Sequence, residues 1–303
     1  MLFGIFALIA VGLSWTLVGI VMGMAPKKNV DPALIQLGGS MVTITVGTLI
    51  FMLTGGAGMK GDFTISGVWV CVAYFTTGLL NCIMLVLMSK AMQKGPNGMI
   101  WTIIQSAMIF PFLMGIIFFG VELKMIRVFG LLLILTGLVL SGCAKDNTSS
   151  GDRMWRILAF IAFLITGVLQ CLASIPSYFE AGRNLSPIIR SIATASGAFL
   201  TSGFLLLQSG KWKNWGGMIR SKWLWIFIGS LQFFGLIFAY LLLYPGMDAM
   251  AENGLGSASY PLMIASCIIG FFLYCSFVIR EKNSILQYGA LAGCLLGIIL
   301  ICC

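Results

Sequence analysis

Residues 118–137, FFGVELKMIRVFGLLLILTG, set one carboxylate, Glu122, between two long apolar runs, and residues 276–297, SFVIREKNSILQYGALAGCLLG, repeat the arrangement around Glu281. The two acids are 159 positions apart (281 − 122), and the same offset pairs Gly95 with Gly254 and Gly130 with Gly289. Earlier in each half an offset of 155 pairs Gly12 with Gly167 and Pro32 with Pro187, laying GLSWTLVGIVMGMAPKKNVDP over GVLQCLASIPSYFEAGRNLSP. Two collinear blocks with a small shift between them read as a duplication. Glu122 and Glu281 stand in short connections beside basic residues, where a carboxylate favours the start of the next helix through its dipole. They are register marks, and the search for a site moves elsewhere.

Outward from these acids the chain is a series of apolar runs, at about 2–24, 34–54, 67–88, 98–119, 126–143, 157–178, 188–208, 223–244, 257–279 and 284–301. Of 303 residues, 59% are hydrophobic and 9% charged, against roughly a quarter charged in a soluble domain. A hydrocarbon layer of about 30 Å takes about 20 apolar residues as a helix, since each backbone N–H and C=O must be paired within the segment. Strand alternation is absent. The predicted fold is therefore an all-α membrane protein of ten transmembrane helices. Five helices per copy is an odd number, so the second copy enters from the opposite side, giving two inverted-topology five-helix repeats, a recurrent plan of secondary transporters. The repeats are expected at 1–145 and 153–303, joined by a polar linker at 146–152 within AKDNTSSGDR.

The connections after the first, third, fifth, seventh and ninth segments carry thirteen basic residues: Lys27, Lys28, Lys90, Lys94, Lys145, Arg153, Arg156, Lys211, Lys213, Arg220, Lys222, Arg280 and Lys282. The others carry five, Lys60, Lys124, Arg127, Arg183 and Arg190. The positive-inside rule then puts the first set in the cytoplasm and both termini outside a cell membrane. A formal net charge of +9 is explained by this topology and not by nucleic acid, because the bases follow no single patch. Histidine is absent and the nine cysteines show no C-x-x-C spacing, so the expectation is no metal site, no cofactor and no enzyme.

Polar groups at mid-span are costly in hydrocarbon unless they face protein or water, so they map the interior. Ser14 and Trp15, Asn81, Gln105, Gln170 with Ser174, and Gln232 fall near the middles of the first, third, fourth, sixth and eighth segments. They are the expected lining of a hydrated cavity for a small-molecule substrate, with Tyr178 and Tyr260 as aromatic gate candidates. Packing glue between helices is the plainer role for any one of them. No acid lies at a helix centre; the coupling candidates are Glu180 in SYFEAGRN and Asp248 with Glu252 in YPGMDAMAENGLG, read as connections. Glu180 could simply pair with Arg183.

The ends of the two halves, KGPNGMIWTIIQSAMIFPFLMGIIFFGVELKMIRVFGLLLILTGLVLSG and ENGLGSASYPLMIASCIIGFFLYCSFVIREKNSILQYGALAGCLLGIILI, resemble the drug/metabolite transporter superfamily. Each half has that superfamily's Pro or Gly at mid-helix (Pro111, Gly270), loop glutamate (Glu122, Glu281) and a glycine eight residues on (Gly130, Gly289). The start, GIFALIAVGLSWTLVGIVMGMAPKK, and the end, REKNSILQYGALAGCLLGII, look nearer to its L-rhamnose–proton symporter and glucose/ribose uptake group. The resemblance implies a secondary transporter of a small polar metabolite working by alternating access. The alternatives are an exporter of amino acids or drugs in the same superfamily, a passive channel, or a structural subunit. Oligomeric state is left open by the sequence.

Overall fold

The computed structural model describes residues 1–54, 65–95, 97–122, 124–143, 154–210 and 215–274, with 289, 292–293, 295–297 and 299–300. Glu281, the linker 146–152 and Lys60, Lys145, Arg153, Lys211, Lys213, Arg280 and Lys282 lie outside the described residues. No strand occurs among the described residues.

Among the described residues, five helices are long and apolar enough to cross a membrane: Leu2–Met24, Pro32–Leu53, Gly67–Met92, Met154–Tyr178 and Pro187–Gln208. In chain order the helices are α1 (Leu2–Met24), α2 (Pro32–Leu53), α3 (Ile65–Met92), α4 (Asn97–Gln105), α5 (Ile109–Phe119), α6 (Met125–Cys143), α7 (Met154–Tyr178), α8 (Glu180–Asn184), α9 (Pro187–Gln208), α10 (Trp215–Ile219), α11 (Lys222–Phe238), α12 (Tyr244–Glu252) and α13 (Ser259–Tyr274). Of the tenth expected segment, the residues described from 289 to 300 are helical. Gly297 lies against the backbone of α6, where an added Cβ would stand 2.6 Å from the Gly130 carbonyl oxygen.

Two segments expected as single helices are interrupted. A 3₁₀ turn at Ser106–Met108 separates α4 from α5, close to Pro111, which has no N–H for the carbonyl four residues back. A π-helical turn at Ala239–Leu243 separates α11 from α12. There Pro245 again lacks the donor, and a widened turn accommodates the ring without ending the helix. The eighth segment therefore continues to Glu252, and YPGMDAMAE is helical where a connection was expected.

Entry to α2 is set by Asp31 and Pro32. The Asp31 carboxylate accepts the Ala33 N–H at 2.8 Å while proline takes the first helical position, where its missing donor costs nothing. Asp31→Ala is expected to lower stability by about 1 kcal/mol, seen as a reduced unfolding temperature in detergent.

Helix α3 packs against α7 and α9, α2 against α9 and α11, α1 against α12 and α13, and α4 against α6 and α7. Small residues bring these backbones together. A Cβ at Gly78 would collide with the Thr194 carbonyl oxygen of α9, and one at Gly197 with the Phe75 carbonyl oxygen of α3. The buried apolar side chains form two clusters, one around Met22, Met88, Ile100, Trp155 and Phe227 and one around Leu8, Tyr74, Phe112, Met250 and Leu262. The first lies at the end where α1 finishes and α2 begins. The second lies toward the opposite end, and Trp15 packs against both.

Candidate functional site

A cavity of ≈ 330 Å³ lies between the two clusters and takes apolar wall from both, among them Met84, Met88 and Met247. Helices α1, α2 and α3 contribute Trp15, Gln36, Ser40, Thr43, Tyr74, Thr77 and Asn81, while α4, α7 and α9 contribute Trp101, Gln105, Thr166, Gln170, Ser191 and Thr194. Gln232, Tyr244 and Tyr260 complete it from α11, α12 and α13. No Asp, Glu, Lys or Arg is among the described residues that line it.

The hydroxyls on this wall are mostly satisfied within their own helices. Thr77 donates to the Ala73 carbonyl at 2.9 Å, Thr166 to Ala162 at 2.7 Å, Ser191 to Pro187 at 3.0 Å and Thr194 to Arg190 at 2.9 Å. Such back-bonding lets a hydroxyl sit at depth without a distant partner. The larger polar groups differ. Thr43 donates to Gln232 Oε1 across the α2–α11 contact, but Gln170 Oε1 and Trp101 Nε1 are buried with no hydrogen-bond partner among the described residues. A buried, unpaired donor or acceptor costs about 1–3 kcal/mol, and a polar solute in the cavity would remove that cost.

At the end of the cavity nearer α8 lies a charged pair. Arg190, in the first turn of α9, is fully buried and meets Asp248 of α12 in a two-point contact, Nη1 to Oδ1 at 3.1 Å and Nη2 to Oδ2 at 2.7 Å. Its Nε donates to the Leu185 carbonyl at 3.0 Å. The guanidinium lies 5.4 Å from the Tyr244 ring centre, and Tyr244 packs edge-on against Tyr74 at 5.1 Å. Both tyrosines line the cavity, so they stand between the charges and the cavity space. Farther out on the same α8–α12 side, Arg183 Nε approaches Glu252 Oε1 at 3.5 Å.

Six of the sequence candidates come together on the cavity wall: Trp15, Asn81, Gln105, Gln170, Gln232 and Tyr260. Trp15 and Tyr260 face each other, with ring centres 6.2 Å apart. Ser14 and Ser174 do not line it. Their hydroxyls turn back to the Val11 carbonyl at 2.7 Å and the Gln170 carbonyl at 2.9 Å. Tyr178 stacks on Phe119 at 4.0 Å and borders a separate cavity. Among the coupling candidates, Asp248 joins Arg190 and Glu252 joins Arg183, whereas Glu180 is exposed at the start of α8. The partner found for Arg183 is thus Glu252 and not Glu180.

Sequence reading missed Gln36, Tyr74 and Arg190. By sequence alone Arg190 is one more base near a connection. A signal was present: a cation in the first turn opposes the helix dipole, so an arginine there calls for a carboxylate from another element.

The long apolar helices define the class, a multi-pass integral membrane protein. Residues 2–143 match the model of the EamA-like transporter family, within the drug/metabolite transporter superfamily. A solved structure described only as the crystal structure of a protein is similar in fold, with a TM-score of 0.62 and 14% identity over 96% of this chain and 95% of its own. No curated protein matches the chain.

Proposed function

We propose that the whole chain is a secondary transporter that carries a small neutral polar solute, of monosaccharide size and character, by alternating access between two inverted halves. The observation that carries this reading is the cavity wall: unpaired amide and indole groups, aromatic faces and no charged side chain among the described residues. Aromatic faces beside amides are the usual means of holding a sugar-like molecule whose hydration bonds must be replaced. A volume of ≈ 330 Å³ lies at the small end of ligand pockets, which run about 300–1,000 Å³. A carboxylate or ammonium solute would enter such a site without a countercharge.

The duplication is supported by where matched positions fall. Trp15 and Gln170 correspond by the 155 offset (15 + 155), and Trp101 and Tyr260 by the 159 offset (101 + 159); all four line the cavity. The element contacts also map onto themselves under exchange of the halves, α1–α13 with α7–α4 and α3–α9 with α11–α2. The placement of both termini outside and the kinship with sugar carriers belong to the same proposal. Lacking a G-x-x-x-x-G-K-[ST] loop, the chain would draw on a solute or ion gradient.

Unfolding temperatures of the purified protein, followed across panels of sugars, amino acids, nucleosides and organic cations, test the reading. A bound ligand at about 100 times its Kd stabilises by about 2.7 kcal/mol, so the hit should be plain. Neutral polyols are expected to stabilise, and Gln170→Leu to weaken binding about tenfold, the equivalent of one 1.4 kcal/mol hydrogen bond. Stabilisation by charged ligands alone would overturn the choice of solute. Counterflow in proteoliposomes separates a carrier from a channel.

A further inference from the structure

We infer that a second cavity, at the α5–α6 turn, binds a phosphate group, that of a phospholipid headgroup from the surrounding leaflet. This cavity of ≈ 510 Å³ is bordered by Phe119, Glu122, Lys124, Arg127 and Tyr178, with Asn253 from the far side. Arg127 is only 8% exposed, and its Nε is buried with no hydrogen-bond partner among the described residues. Its Nη1 reaches the Glu122 carbonyl oxygen at a long 3.5 Å. The Tyr178 hydroxyl, also buried, likewise has no partner among the described residues.

A guanidinium held out of water with an unmet donor is costly, and an anion is the group that relieves it. Lys124 borders the same space, and α6 begins there, directing its first backbone N–H groups and positive dipole end to the same region. Glu122 brings one opposing carboxylate, but its side chain is solvent-exposed, where water screens it. The balance of the site is one positive charge.

Two observations favour a lipid as the source of the phosphate. The site lies at helix ends, where headgroups lie. Directly below it, Ile117 and Phe118 of α5 and Met125, Phe129 and Leu132 of α6 are exposed and apolar, which suits acyl chains continuing from a bound headgroup. The arrangement is independent of the central cavity and of whatever solute occupies it.

Unfolding temperature of the full chain in a maltoside detergent, which carries no phosphate, is the measurement. Phosphatidylglycerol is expected to raise it by about 2–4 °C, while an uncharged glycolipid with the same acyl chains has no effect. Arg127→Gln should abolish the shift and Arg127→Lys should keep part of it; should Arg127→Gln fail to fold, Lys124→Gln is expected to reduce the shift. A shift produced by inorganic phosphate alone, and lost in Arg127→Gln, supports the anion site with a soluble source. Equal stabilisation by the glycolipid, a shift that survives Arg127→Gln, or no shift with any phosphate compound overturns the inference.

Discussion

Arg190→Leu is expected to destabilise the protein by about 3 kcal/mol, because it strands the Asp248 carboxylate, 15% exposed, without the arginine it meets. Asp248→Leu should be comparably harmful for the converse reason, since the fully buried guanidinium would lose its countercharge and both of its hydrogen bonds to the carboxylate. The discriminating variant removes both charges. Replacing a buried pair by apolar groups of similar size is often neutral or stabilising, so Arg190→Leu combined with Asp248→Leu should recover much of the loss. Thermal unfolding of the four proteins in detergent gives the coupling energy directly. Additive losses in the double variant would mean that the two side chains do not act as a pair. The same set bears on transport: the pair ties α9 to α12, immediately beyond the π-helical turn at Ala239–Leu243. A helix can bend at such a turn. If opening on the α8 side requires α12 to swing about that turn, the double variant should fold yet show altered exchange rates.

Gly78→Val is expected to be the other large effect. The added atoms would meet the Thr194 carbonyl oxygen on α9 and not a side chain that could turn aside. Overpacking costs about 1–3 kcal/mol and more where backbone must move, and here two helices must separate along the contact that forms one wall of the cavity. The matched change Gly197→Val, which meets the Phe75 carbonyl oxygen, should behave alike. Gly229→Val serves as the control, because nothing stands within 4 Å of its added Cβ. Loss of folded protein by size-exclusion chromatography in the first two, with a normal profile in the third, is the expected pattern.

The segments legible in the sequence were those whose backbone the membrane alone constrains. Uninterrupted apolar runs of helix-spanning length, such as 2–24 and 188–208, became α1 and α9 with ends displaced by a residue or two. Reading failed where proline and glycine carried two meanings. In LLLYPGMDAMAENG they resemble a break, so Asp248 was placed in a connection. In the structure the π-helical turn absorbs Pro245, and α12 carries Asp248 to Arg190. For the cavity, mid-span amides were a sound guide because an amide at depth needs a polar neighbour. Serines were a poor one: Ser14 and Ser174 satisfy themselves on their own helices and say nothing about where a cavity lies.

By itself, the sequence determined that this chain is helical and membrane-embedded, since backbone hydrogen bonds in hydrocarbon must close locally and the apolar runs permit only helices. It also exposed the 159 and 155 offsets, a property of the order of residues and not of their contacts. Only the tertiary structure decided which polar groups share a cavity, which two acids meet which two arginines, and which glycines are contact points. Those pairings join residues as far apart as Arg190 and Asp248, or Thr43 and Gln232. They depend on how helices cross and rotate about their axes, which is settled by side-chain packing summed over many neighbours and is not written in any local pattern.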